Sequence, residues 1–236
     1  MELIHITAAY SNAVLTAILP QVSDFAKQIN LQIPLPITAE QVVRFGISPY
    51  KGEIGGGIWL SNNYQFSYAD GHVMSFRSPD NFFGRDDLLE NWQRFTGKEN
   101  MTTNQAIEMA REALSKLGYK LEELHVDVPP TLVQPPGDFH GHHIPHFQIR
   151  WDAPEELDST GHNLTVHVAV EINLDKKSFT GMSIISGKIQ RPPPKIDVEP
   201  ELESEFRKKH SVQMFVRTNA PPRFPVPKPS STTSQE

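Results

Sequence analysis

The chain has 236 residues, enough for one large domain or two small ones with a real buried core. Its net charge of -6 comes from interspersed acidic and basic residues, which leaves no electrostatic footprint for nucleic acid or an anionic membrane. There is no cysteine, so disulfides, thiolate metal sites and a cysteine nucleophile are excluded.

No Lys or Arg precedes Lys27, so the basic start of a signal peptide is missing. The apolar run from Ala13 to Leu19 ends at Pro20 and is too short for a membrane span. Read as it stands, the chain is expected to be soluble and not exported; a longer precursor would leave the compartment open. Val14, Ile18, Val22, Phe25 and Ile29 recur every three or four residues and predict a helix over 11–30. Pro20 should kink or divide it, and Pro34 and Pro36 then force an extended stretch.

Thr38 with Gln41 forms a capping-box pattern, predicting a short helix that ends near Gly46. Gly55–Gly57 is read as a turn or a place of close strand packing, because no Lys-Ser/Thr and helix come after it as in a phosphate-binding loop. The runs 58–60, 64–68 and 72–76 predict strands. The last two are joined at Asp70-Gly71, a two-residue hairpin signal. Leu88, Leu89, Trp92 and Phe95 predict a linking helix over 86–96. A second Thr-x-x-Gln box at Thr102 opens a helix with Ala106, Ala110, Ala113, Leu114 and Leu117 on one stripe, closed by Gly118.

Strands are then expected at Leu124–Val128 and Phe147–Trp151. A longer one over 164–174 should have Val166, Val168, Val170 and Ile172 on a packed face and His167, Ala169, Glu171 and Asn173 on a wetter one. A last strand is predicted over 179–185. From Arg191 onward nine of the twenty prolines accumulate, predicting an extended, poorly ordered tail. The two capped segments, 37–45 and 101–109, suggest one α+β unit used twice. The expected domains are 1–98, 99–190 and the tail 191–236.

Chemistry points to the connection carrying Asp138-Phe139-His140-Gly141-His142-His143-Ile144-Pro145-His146. Four of the ten histidines lie there, and imidazoles are common ligands of zinc, copper or nickel. His140, His142, His143 and His146 are the candidate zinc ligands. His162 or His167 could complete such a site, and Asp138 or Asp152 could supply a carboxylate. The alternative is a solvated, weakly pH-responsive loop. No His-Glu-x-x-His helix and no Gly-x-Ser-x-Gly elbow is present. The clustered carboxylates Asp86, Asp87, Glu90, Glu122 and Glu123 read as solvated faces. Trp59, Trp92 and Trp151 read as core, with Trp59, Tyr64, Phe66 and Tyr68 as an alternative aromatic surface. Asn100 and Asn163 each start a glycosylation sequon, a pattern frequent by chance at this length.

Thr102–Ala110, Phe147–Trp151 and Val170-Glu171-Ile172-Asn173-Leu174-Asp175-Lys176-Lys177-Ser178 together resemble a PepSY-type domain over about residues 101–186, with a degenerate copy over about 37–78. Phe179 stands where that family has glycine, and 129–145 is a long insertion. The resemblance implies an α+β fold, in bacterial and often extracytoplasmic proteins, that binds or restrains a partner such as a peptidase. It carries no catalytic residues across. The sequence therefore reads as a non-enzymatic binding or inhibitory module with a protein or peptide partner, no nucleic acid and no membrane span. The alternative is a metal-binding protein or metal-dependent enzyme using His140–His146. In a third reading the proline-rich tail is an interaction arm.

Overall fold

A computed structural model of the chain describes residues 7–50, 53–69, 71–81, 95, 97–139, 141–157 and 165–185. The tail from Arg191, and the expected helix over 86–96 apart from Phe95, lie outside them.

Helix α1 (Ala8–Gln28) starts at Thr7, whose hydroxyl accepts from the Tyr10 N–H at 3.2 Å. The stripe of Val14, Ile18, Val22 and Phe25 is buried, as its period predicts. The helix is not divided at Pro20. That residue lies on the exposed side, where water can serve the carbonyl that loses its partner. No helix among the described residues is long and apolar enough to cross a membrane.

The helix expected at Thr38 is absent. Gln41 Oε1 does accept from the Thr38 N–H at 2.7 Å, but the turn closes after one 3-10 stretch, Ala39–Gln41. The chain then enters strand β1 (Val42–Tyr50), because Val42, Val43, Phe45 and Ile47 favour a pleated, half-buried surface over a helix. Strands β2 (Glu53–Leu60), β3 (Gln65–Ala69) and β4 (His72–Arg77) complete an antiparallel meander. The β3–β4 hairpin is where Asp70-Gly71 places it, with Gly71 at φ 80.

The second half repeats this order. Helix α2 (Thr103–Lys116) has both bonds of its capping box: Thr102 N–H to Gln105 Oε1 at 2.8 Å, and Gln105 N–H to Thr102 Oγ1 at 3.3 Å. The strand expected at Leu124–Val128 is a series of turns instead. Leu124 and Val126 are buried, but their N–H groups bond locally, to Lys120 O and Leu121 O. Alternation of apolar residues there records packing, with no ladder. Strand β5 (Leu132–Gln134) comes later. The histidine-rich connection folds into a small hairpin of β6 (Gly137–Phe139) and β7 (His142–Ile144). Strands β8 (His146–Asp152), β9 (His167–Asn173) and β10 (Ser178–Ile185) lie where the alternation places them.

The eight-stranded sheet runs β1-β2-β3-β4-β10-β9-β8-β5, so the two halves meet through their last strands. The junction is short: Arg77, Phe76 and Ser75 of β4 face Gly181, Met182 and Ser183 of β10. The α+β class is therefore as expected. Cross-strand register puts Phe45, Ile58, Phe66, Phe76, Met182, Val170 and Ile149 in one rung across seven strands. All belong to or pack against one core cluster that also holds the buried faces of α1 and α2. Both helices thus cover the same side of the sheet.

Candidate functional site

The side of the sheet away from the helices is polar, and register orders its residues. One rung reads Arg44, Trp59, Gln65, Arg77, Gly181, Glu171, Gln148 and Gln134 across all eight strands. The next reads Gly46, Gly57, Ser67, Ser75, Ser183, Ala169, Arg150 and Leu132. A row made mostly of long polar side chains therefore stands beside one that is small from Gly46 to Ala169 and ends in Arg150 and Leu132. Arg44, Gln65, Ser67, Arg77 and Arg150 are exposed. At one end the Trp59 indole lies over Gly57, where an added Cβ would come within 2.6 Å of the ring. The Arg44 guanidinium sits 4.7 Å from the same ring's centroid.

At the β4–β10 junction this face holds a buried polar cluster. The Asn81 amide donates to Glu171 Oε2 and, at 3.4 Å, to the Thr180 carbonyl. Gly181 makes the room: a Cβ there would lie 2.7 Å from Asn81 Nδ2 and 3.1 Å from Glu171 Oε2. Burial raises the Glu171 carboxyl to about 7, against the opposing pull of the Arg77 charge and the Asn81 bond. One rung further along, His146 Nε2 accepts from the Asn173 amide at 3.2 Å, with the Phe95 ring edge-on at 4.7 Å. Burial lowers this imidazole to about 4, although the Asp80 carboxylate opposes the shift. Asp80 in turn pairs with Lys176 at 2.6 Å. A carboxylic acid and a neutral imidazole thus sit on one face, both displaced toward their uncharged forms.

The histidines expected to gather do not share one environment. His142 is exposed on β7, and His146 is buried on β8. His143 bridges two carboxylates, with Nδ1 2.9 Å from Asp138 and Nε2 2.8 Å from Glu99. Those bonds, Asp138 foremost, raise its pKa. The bridge ties the β6–β7 hairpin to the segment before α2, beside an open polar groove of about 570 Å³ lined by Glu99, Thr102, Gln105, Pro135, Pro136 and Leu174. His140 and His162 lie outside the described residues. Among the described residues no three His, Asp or Glu side chains are grouped to hold a metal ion.

His167 and Asp152, weighed as additions to a metal site, belong to a separate network. Asp152 accepts from His167 Nδ1 at 2.6 Å, Arg150 Nε at 2.7 Å and Thr131 Oγ1 at 3.0 Å. Burial alone would raise its pKa, but these three donors together hold it below the usual carboxylate value. The four aromatics considered as one surface are split by the pleat: Phe66 and Tyr68 are buried on the helix side, and Trp59 is on the other. Trp151 is core, with Nε1 donating to Val128 O at 3.1 Å.

The alternation of residues 164–174 places Glu171 on the wetter face but does not reveal its cluster. The one local signal is a carboxylate centred in an apolar strand. Its cover, Asn81, is 90 residues away in sequence. Comparison of the chain with family models, with curated proteins and with solved structures gave no match.

Proposed function

We propose that this chain is a non-enzymatic binding or inhibitory module of the PepSY type, which takes a protein or peptide partner on the face of its sheet opposite α1 and α2. The observation that carries the reading is the pair of rungs on that face. Mostly long polar groups stand beside residues that are small from Gly46 to Ala169, with exposed side chains at Arg44, Gln65, Ser67, Arg77 and Arg150. Such a surface offers hydrogen bonds and a shallow seat over a wide area. The order of helix then four-strand meander, met twice, agrees with the repeated unit that the resemblance implies.

The test is inhibition of a secreted metallopeptidase by the purified full chain. The expected result is saturable inhibition that Ser75→Arg with Ser183→Arg abolishes while the circular dichroism spectrum is retained. Inhibition unchanged by the double substitution would remove the partner from this face. No inhibition at any ratio would reject the inhibitory reading. Stoichiometric zinc in the purified chain, lost with His140, His142 and His143 changed to alanine, would favour the metal-binding alternative.

A further inference from the structure

A sheet with two free edges must protect both or use one. The β5 edge is protected. It is three residues long and lies between Pro129-Pro130 and Pro135-Pro136, which supply no N–H groups to a neighbouring strand. The β1 edge is not. It runs for nine residues with a single charged side chain, Arg44, and its proline, Pro49, is next to last.

The geometry at Gly46 settles which backbone groups of β1 face outward. The Gly46 carbonyl turns in over the sheet and accepts from the Tyr68 hydroxyl at 3.2 Å. Strand alternation then directs the N–H and C=O groups of Phe45 and Ile47 to the open edge. The side chains of those two residues end the apolar rungs on the helix side. Both are only partly buried, although they pack on the core, with the Phe45 ring stacked on Tyr68 at 5.9 Å. Among the described residues the core therefore stops at this edge with its last layer half covered.

We propose that the β1 edge is a self-association surface, on which a second copy of this chain adds its own β1 antiparallel about a two-fold axis at Gly46. The sequence Arg44-Phe45-Gly46-Ile47-Ser48 is self-complementary in that register. Phe45 falls opposite Ile47 of the second copy and Ile47 opposite its Phe45, so the outward backbone groups pair and the half-covered apolar layer is closed from both sides. Arg44 falls opposite Ser48, which keeps the two guanidinium groups out of each other's rung. The pairing stops before the register shift between Val42 and Arg44 on one side and Pro49 on the other. No other segment of partner is needed, and the two sheets become one continuous sheet.

The chain has no cysteine, which allows a clean test. In the proposed register Gly46 faces its own copy in a non-hydrogen-bonded pair, the site where antiparallel strands bring Cα atoms to about 4.5 Å, within disulfide reach. A side chain fits there, since a Cβ on Gly46 would meet nothing closer than the Trp59 ring at 3.8 Å. Sedimentation equilibrium of the unmodified full chain should give a concentration-dependent species of twice the 26.6 kDa monomer mass. Gly46→Cys should oxidise to a disulfide-linked dimer at least tenfold faster than Val133→Cys on the β5 edge. Ile47→Pro, which removes an outward N–H and no bond to β2, should leave a folded monomer. A monomer at every concentration would overturn the proposal. So would a dimer in which Val133→Cys links as fast as Gly46→Cys, or one that persists in Ile47→Pro.

Discussion

Glu171 and His146 make the clearest energetic argument at single positions. Glu171 has a folded-state pKa near 7 against 4.5 when unfolded, so its burial is free of penalty below pH 4.5 and costs progressively more up to pH 7. The full shift corresponds to about 3 kcal/mol. His146 behaves in the opposite sense: near 4 when folded and 6.5 when unfolded, it costs nothing above pH 6.5 and about 3 kcal/mol by pH 4. The two penalties exchange over the same window, so their sum stays near 3 kcal/mol from pH 4 to pH 8. Glu171→Gln should unmask this. Urea unfolding is expected to show the variant close to the parent at pH 4.5 and about 3 kcal/mol more stable at pH 8. A variant-minus-parent difference that does not change with pH would mean that Glu171 is better solvated than its surroundings suggest. Gly181→Ala tests the room made for the same carboxylate. Its Cβ would press on Asn81 at 2.7 Å, and thermal melts should register a loss of about 1–3 kcal/mol.

The two Thr-x-x-Gln boxes show what a short pattern can and cannot decide. At Thr102 the box is complete and opens a 14-residue helix, because Ala106, Ala110, Ala113 and Leu114 come next with helical spacing and good propensity. At Thr38 the box is also present, but Val42-Val43 and Phe45 take the chain straight into a strand. Thr102→Ala should therefore cost about 1 kcal/mol, and Thr38→Ala, where the threonine caps only the three-residue turn Ala39–Gln41, a few tenths at most. Equal losses by chemical denaturation would contradict this. Strands with strict alternation, β9 above all, were legible from sequence, as was the β3–β4 hairpin. The β6–β7 hairpin was not, since three-residue strands are too short to carry a periodic signal. In the first half the helix that precedes the meander is α1, capped by Thr7, whereas 37–45, matched by sequence with 101–109, leads into a strand. The polar cluster was illegible for a different reason: Asn81, Gly181 and Glu171 meet only once β4 and β10 pair.

The continuity of one core beneath both helices argues that the halves unfold together. Phe76 and Met182 face each other at the junction, both buried, and Phe76 also packs edge-on against Phe25 of α1 at 5.8 Å. Phe76→Ala should cost about 3–5 kcal/mol. Its transition is expected to stay single, with tryptophan fluorescence and far-ultraviolet circular dichroism coincident in urea. Two separated transitions would show that the three-residue β4–β10 seam is weaker than the core beneath it. The seam also marks where the molecule could be divided. The chain passes from the first half to the second only once, between β4 and α2, and every other contact between the halves is noncovalent. Cutting the polypeptide after residue 98 should leave two fragments, each a helix with a four-strand meander and an apolar flank to hide. Mixed from denaturant, they should find one another and restore the parent spectrum, as a heterodimer built from what is now one chain.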